Sequence, residues 1–362
     1  MTLRKFGDQT YAQAVKLAQL YAVAPFVFNG LAVMRRSGIL ACLDCLKGDE
    51  TLSSGEVAEG SGMDLFAVKL LLDMAVAADV VIGDDQGRFC LSKTGRLLAS
   101  DPMTSANFDF AADVCSRGMD HLGEALRTGT PAGLRELAPG AGTIYQALSG
   151  LPEPARTSWF AYDHFYSDRS FAEALRCIAS RMTPGLIHDV GGNTGRFALA
   201  AAGAFPECRI RIIDLPGQCR LAEENARSAG LEGRISTFPW DLLAADGDLP
   251  GEADLWWMSQ LVECFSQEQL AGILQLIRRS IRPDALLAVS SFFGDRLPND
   301  VAALVVESQS LYFAALANGV SRFHHFADFL PVAEEAGFAL DGEPASLGLG
   351  SLLVFLKPVP AV

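Results

Sequence analysis

The residues best placed to do chemistry lie in His-Asp-Val-Gly-Gly-Asn-Thr-Gly-Arg-Phe, residues 188–197. An apolar run leads into Asp189, and an alanine-rich helical pattern follows the loop. A glycine turn between a strand and a helix aims backbone N–H groups at a ligand. Gly191 and Gly192 permit a tight turn and close approach of that ligand, and Gly195 lets the helix pack close to the sheet. Asp214 ends the next apolar run, 19 residues after Gly195. A carboxylate there can accept hydrogen bonds from both hydroxyls of a ribose. Asn193 stands where many such loops carry glycine, a variation asparagine tolerates because it accepts left-handed backbone angles more readily than most residues.

The elements that must position these residues can be read from periodicity. From about residue 185 the chain alternates apolar runs with helical patterns. Gly-Leu-Ile-His-Asp-Val (185–190), residues 208–215, 233–240, 253–259 and 284–293 read as strands. Helices are expected at 194–202, 217–229, 267–281 and 301–318. This order predicts an α/β fold, a parallel sheet covered on both faces. Two final apolar runs, beginning at Gly337 and Gly350, predict a terminal hairpin.

The N-terminal third has a different pattern. Residues 11–48 read as two helices, a further helix starts between Thr51 and Glu56, and another starts at Asp64. Residues 80–95 read as strand, turn, strand. Helices followed by a short hairpin form a winged helix-turn-helix pattern. Duplex recognition needs Lys and Arg on the second helix and the wing. That helix carries one Lys against three Asp between Asp64 and Asp79, and the wing tip is Asp84-Asp85. A structural or dimerising module is therefore expected, with no nucleic-acid partner. The formal net charge of −14 points the same way.

Half the residues are hydrophobic and 20% are charged, which suits globular burial. The first 20 residues read as amphipathic rather than as a secretory leader, and no apolar run is read as reaching a membrane span. A soluble cytoplasmic protein is expected. The eight cysteines include one Cys-x-x-Cys, Cys42 and Cys45, in an apolar helical stretch without partner ligands. Core-lining thiols are expected there, and no metal site.

The loop's ligand follows from charge. A dinucleotide loop runs Gly-x-Gly-x-x-Gly and holds a pyrophosphate. Here the acid Asp189 sits two residues before the first glycine, which disfavours a diphosphate and favours a cation. S-adenosylmethionine carries an ammonium and a sulfonium and no phosphate, so it is the expected cofactor. An NAD-dependent oxidoreductase is the alternative.

These features resemble the class I S-adenosylmethionine-dependent methyltransferases. Asp189–Gly195 resembles their motif I, and Ile212–Pro216 resembles the ribose-binding step of the small-molecule O-methyltransferases of secondary metabolism. Phe-Pro-Trp-Asp-Leu-Leu (238–243) resembles their adenine-flanking segment, and Ala317–Phe338 their penultimate helix block. The resemblance implies a Rossmann-like sheet, mostly parallel with an antiparallel last strand, behind a mainly helical winged-helix dimerisation domain. The implied boundaries are residues 1–105 for that domain, 106–180 for a helical linker and substrate-pocket region, and 181–362 for the cofactor domain. It implies a homodimer and a small aromatic acceptor. Carried over, Asp189 and Gly191 would lie near the methionine end, and Gly192, Asn193 and Gly195 would also bind the cofactor. Asp214 and Leu215 would hold the ribose, and Asp241, Leu242 and Ser259 would lie by the adenine. Tyr166 and His164, in Ala161–Phe171, fall in the segment bordering cofactor and acceptor, and Tyr166 would be a cofactor-binding residue.

One departure bears on mechanism. The family's general base is a histidine in a Trp-x-x-His-Asp-Trp block after the fourth strand, and here Glu263 takes its position. A phenol near pKa 10 needs a base at neutral pH. Glu263 can serve if burial raises its pKa, although a solvated helix-cap carboxylate is the competing reading. His164 is the second candidate base, and His324 and His325 are further histidines near the acceptor block. The expected activity is methylation of a phenolic metabolite at oxygen, or at a ring carbon ortho to a hydroxyl. The alternative is a cofactor-binding protein of this fold that has lost or changed methyl transfer.

Overall fold

The computed structural model describes residues 9–48, 50–243 and 247–360. It divides into two compact units, Met1–Asp113 and Val114–Val362.

The first unit opens with α1 (Tyr11–Arg36) and α2 (Ile39–Asp44), followed by β1 (Leu52–Ser53), α3 (Ser54–Ser61) and α4 (Leu65–Ala77). The Ser53 hydroxyl accepts the Glu56 N–H while the Glu56 carboxylate takes the Ser53 N–H, so α3 begins at a capping box. Asp64 caps α4 by accepting the Phe66 N–H at 2.8 Å. β2 (Val81–Gly83) and β3 (Arg88–Leu91) form the wing, with strand order β1-β3-β2, all antiparallel. At its tip Asp84 accepts the N–H groups of Gln86 and Arg88, which fixes the turn. α5 (Lys93–Ser100) and α6 (Pro102–Asp109) complete the unit. Met34, Ile39, Leu43, Val57 and Leu72 are buried at its centre.

Two expectations fail here. Cys45 is exposed rather than core-lining. α1 and residues Asp300–Ala317 are each long and apolar enough to cross a membrane, by length and composition alone. The sequence reading missed them because scattered polar residues hide a high mean hydropathy. In α1 only 17% of the apolar window is buried, and Tyr11, Tyr21 and Phe26 face outward. Phe28 instead stacks on Phe108 at 4.7 Å.

The second unit begins with α7 (Leu122–Thr128), α8 (Ile144–Ala147) and the long α9 (Ala155–Arg181). Five parallel strands follow: β4 (Leu186–Val190), β5 (Arg209–Asp214), β6 (Ile235–Pro239), β7 (Leu255–Ser259) and β8 (Leu286–Phe292). α10 (Arg196–Ala204), α11 (Pro216–Ser228) and α12 (Gln267–Ser280) lie between them. α13 (Asp300–Tyr312) runs into a π-helical turn at Phe313–Ala317, and α14 (Phe326–Glu335) follows. β9 (Phe338–Leu340), β10 (Ala345–Ser346) and β11 (Ser351–Pro358) close the chain. β11 pairs antiparallel with β8 on one side and with β9 and β10 on the other, giving the order β10-β11-β8-β7-β4-β5-β6. The expected antiparallel last strand is present, and the expected hairpin is inserted into the sheet edge.

Side-chain alternation splits the core into two layers. Leu186, Val190, Trp256 and Met258 pack with α12 and α14. Ile187, Ile212 and Trp257 pack with α9, α10 and α11. Such two-sided burial explains the near-continuous apolar strands. Gly195 serves the second layer as expected, since a Cβ there would meet Ile212 Cδ1 at 3.1 Å.

His188 sits in the first layer, fully buried, with neither ring nitrogen hydrogen-bonded. The Trp256 ring meets it edge-on at 4.7 Å. Burial, and secondarily Arg211, hold its pKa down to about 4. The folded state therefore resists a proton that the unfolded chain accepts near pH 6.5. Stability is full above that pH and is lost as pH falls toward 4. Denaturant titrations of His188→Leu against the parent should show the parent losing about 3 kcal/mol more across that window.

Candidate functional site

The site lies at the carboxyl ends of β4, β5 and β7, where α/β sheets place their ligands. β4 is buried throughout and delivers Asp189, 2% exposed, toward the α9–α11 side. Its Oδ2 is buried without a hydrogen-bond partner. A Cβ on Gly192 would stand 2.7 Å from that oxygen, so the chain can pass Asp189 only as glycine.

Asn193 adopts φ 50°, the left-handed conformation anticipated for it. It does more than tolerate the turn. Its N–H donates to Asp214 Oδ2 at 2.8 Å, and its side-chain amide donates to Asp163 Oδ2 at 3.2 Å. It also accepts from Gln218 Nε2 at 3.1 Å. The loop is thereby tied to α9, β5 and α11 at once. Asp214 takes a second N–H, from Leu215, at 2.6 Å.

Four acids gather here without matching cations. Burial lifts Asp189 to about 8, and the Asp214 charge adds to the shift. Burial lifts Asp163 to about 7 and Asp214 to about 6, against hydrogen bonds that pull both down. Arg196 lies nearby but is ion-paired with Asp168. Glu263 occupies a short 3₁₀ turn, Val262–Cys264, directly after β7. It is 3% exposed, and its Oε2 accepts the Ser291 hydroxyl of β8 at 2.9 Å. Burial lifts it to about 7, with Asp163 adding. It is therefore not a solvated cap, and Ser266 caps α12 instead.

The other expected residues fall around this group. β4 and β7 are in register at Val190 and Met258, so Ser259 lies level with Gly191, its hydroxyl buried and unbonded. Asp241 follows β6 and caps the Leu243 N–H at 2.9 Å, while Leu242 packs against the sheet core. His164 meets the Thr194 hydroxyl at 3.4 Å, and burial lowers its pKa. Tyr166 belongs to an aromatic circuit. Trp159 Nε1 donates to Tyr312 at 2.9 Å, and Tyr312 packs on Phe313, Phe313 on Phe323 and Phe323 on Phe292. Phe292 then meets Tyr166 at 5.5 Å, and Tyr166 meets Tyr162 at 5.2 Å. Trp159, Tyr162 and Tyr166 share one face of α9.

His324 is buried and turns its Nε2 to backbone carbonyls. Its Nε2 lies 3.1 Å from the Val262 carbonyl and 3.0 Å from that of Phe265. His325 pairs with Glu307 at 3.2 Å. Sequence reading missed Asp163 and Ser291. Asp163 had a signal, since it lies four residues after Trp159 and three before Tyr166 on an otherwise aromatic stripe. Ser291 had none.

The cluster can hold a cation. An unbonded buried carboxylate oxygen, a glycine cradle beside it and raised acids nearby all favour positive charge and none favours phosphate. The residues thus fit an ammonium and a sulfonium.

Comparison with known proteins agrees. A family model described as an O-methyltransferase domain matches residues 169–339. The L-tyrosine C(3)-methyltransferase of Streptomyces lavendulae is 24% identical over 302 residues, covering 83% of this chain and 81% of its own. The mitomycin biosynthesis 6-O-methyltransferase of the same organism is 24% identical over 294 residues, 79% of each chain. Among solved structures, a mitomycin 7-O-methyltransferase superposes with a TM-score of 0.72 at 19% identity, covering 96% of this chain and 98% of that one. Human N-acetylserotonin methyltransferase, crystallised with S-adenosylmethionine, gives 0.69 at 18% identity, covering 98% and 99%. The structural likenesses establish the fold.

The raised acids carry a stability consequence. A buried carboxyl lifted to about 8 is neutral at acid pH and must ionise, unsolvated, as pH rises. Its contribution is present below the ordinary carboxyl range and lost as pH climbs through 8. Without ligand, Asp189→Asn should match the parent near pH 3 and exceed it by at least about 2 kcal/mol at pH 8.5, by denaturant titration.

Proposed function

The chain belongs to the class I S-adenosylmethionine-dependent methyltransferases of the small-molecule O-methyltransferase family, and on that premise we propose that it methylates a phenolic secondary metabolite with Glu263 as general base. The methyl goes to the hydroxyl oxygen or to the ring carbon ortho to it. The observation that carries this reading is Glu263 itself. It is buried, held at one carboxylate oxygen by Ser291, and lifted to about 7. It also feels Asp163 on one side, while raising the pKa of Tyr145 and Tyr162 on the other. It thus lies within electrostatic reach of both the acid cluster and the aromatic circuit.

Bound at the glycine loop, S-adenosylmethionine supplies an electrophilic methyl group on a sulfonium. Asp189, Gly191, Gly192, Asn193 and Gly195 would hold its methionine end. Asp214 and Leu215 would hold the ribose, with Asp241, Leu242 and Ser259 at the adenine. The aromatic circuit, Tyr166 included, orients a flat acceptor and excludes water. Glu263 takes the acceptor's hydroxyl proton on the oxygen that Ser291 leaves open. A base near 7 is half ionised at neutral pH and still basic enough to help a phenol. His164 is the second choice, because its Nε2 is engaged with Thr194.

The same reading gives a cytoplasmic homodimer built through the first unit. Tyr21 and Phe26 on α1, with Phe66 and Leu70 on α4, are exposed apolar side chains of the kind a second copy covers. Light scattering at micromolar concentration should give twice the chain mass, and Phe26→Lys combined with Tyr21→Lys should give monomer. A monomeric parent would remove the dimer from this reading.

Activity is tested with labelled S-adenosylmethionine across a panel of phenols. Glu263→Gln should lower kcat by about 100-fold or more. Parent kcat should fall as pH drops below about 7, where Glu263 gains its proton, and the variant should lack that step. Asp189→Asn should lose cofactor binding by calorimetry. Tight binding without transfer to any phenol would replace this reading with a binding protein of the same fold.

A further inference from the structure

The turn that carries Glu263 is poorly tied by its own backbone. Within it, the Cys264 N–H reaches the Leu261 carbonyl at 3.0 Å and the Phe265 N–H reaches that of Val262 at 3.4 Å. Buried carbonyls at such a turn need outside donors. Those donors come from one segment 54 to 62 residues away in sequence. Asn318 Nδ2 donates to the Cys264 carbonyl at 2.6 Å. His324 Nε2 lies against the Val262 and Phe265 carbonyls. Two side chains therefore bind three carbonyls of a four-residue turn.

Both side chains are themselves oriented. Asn318 Oδ1 accepts the N–H groups of Val320 and Ser321 at 3.0 and 3.1 Å, and the Ser321 hydroxyl at 3.0 Å. Its amide therefore points its nitrogen at Cys264. Both neighbours of His324 Nε2 are acceptors, so that nitrogen must carry the proton. His324 is buried, and Gly294 N–H holds its own carbonyl at 3.0 Å. The neighbouring Phe323 belongs to the aromatic circuit. The segment thus touches the acceptor wall and the base turn together.

We infer that Asn318 and His324 are positioning residues, a two-point bracket that fixes the 262–265 turn and so aims the Glu263 carboxylate. Ser291 completes the hold from the opposite strand. The bracket rests on the reading of Glu263 as base for its catalytic meaning, though not for its geometry. It also explains why two polar side chains stand in this segment.

The test uses the full chain in four variants: Asn318→Leu, His324→Phe, His324→Gln and Glu263→Gln. Loss of a donor should lower kcat about 10- to 100-fold, with KM and cofactor affinity within about twofold of the parent. His324→Gln should recover most of the loss, because its amide nitrogen can donate where Nε2 did. Independently, carbon-13 NMR of glutamate-labelled protein, assigned with Glu263→Gln, follows the Glu263 titration. Its midpoint should move by at least about half a unit in Asn318→Leu and His324→Phe, and return in His324→Gln. An unmoved midpoint with parental kcat in folded variants overturns the bracket. If His324→Phe does not fold, Asn318→Ser carries the same readouts. Should Glu263→Gln keep full activity, the base assignment falls, while the titration still decides the bracket.

Discussion

The structure is organised around the cost of collecting carboxylates where water cannot reach them. Asp163, Asp189, Asp214 and Glu263 arrive from a helix, two strands and a turn, and every one titrates above its ordinary range. Desolvation dominates each shift; repulsion from Asp214 adds to that of Asp189, from Asp163 to that of Glu263, and from Asp168, outside the group, to that of Asp163. A chain optimised for stability alone would not assemble this group. The geometry around it reads as accommodation. β4 is buried on either side of Asp189, with His188 before it and Val190 after it. Gly192 removes the side chain that would collide with the carboxylate. Asn193 takes left-handed angles and ties α9 and α11 through its side-chain amide, two contacts a glycine could not make.

On the proposal that Glu263 is the base, a carboxylate stands where an imidazole would and asks different support of its surroundings. A histidine base has one acceptor nitrogen, and its other nitrogen fixes the tautomer. A carboxylate has two equivalent oxygens and no intrinsic direction. Ser291 breaks that equivalence by occupying Oε2. Burial does the rest, since a solvated carboxylate near pKa 4 is too weak a base for a phenol. The Asp163 charge adds to the rise that burial causes in Glu263, which couples the two carboxylates. A positive ligand near Asp163 would hold that residue ionised and so keep Glu263 basic.

The parts of this arrangement that follow local rules were legible in the sequence. The strand–glycine loop–helix order, the acid at the end of β5 and the alternation of core faces each leave a short-range pattern. The position of Glu263 was legible as a departure from a resemblance, and its burial was not. What escaped reading depends on contacts across long separations. Ser291 lies 28 residues from Glu263, and Asn318 lies 54 from Cys264. His324 looked like a candidate base because a histidine's chemistry is visible in sequence while its neighbours are not. In α1 the lack of charge over residues 21–34 was legible, and which side stays exposed was not. Its apolar residues lie on all sides of the helix, so no stripe separates inside from outside.

The acid cluster also sets the proton inventory of binding. With Asp189 near 8 and Asp163 near 7, the unliganded site holds protons at neutral pH. A cation favours the ionised carboxylates, so its arrival expels those protons in proportion to how far each group is pulled down. A ligand that carries two positive centres gains from both, whereas its demethylated product keeps only the ammonium. By charge alone, ionised buried carboxylates attract two positive centres more strongly than one, without any contact to the methyl group. The preference follows from the charge difference, from the unbonded oxygen of Asp189 and from the acids gathered around it.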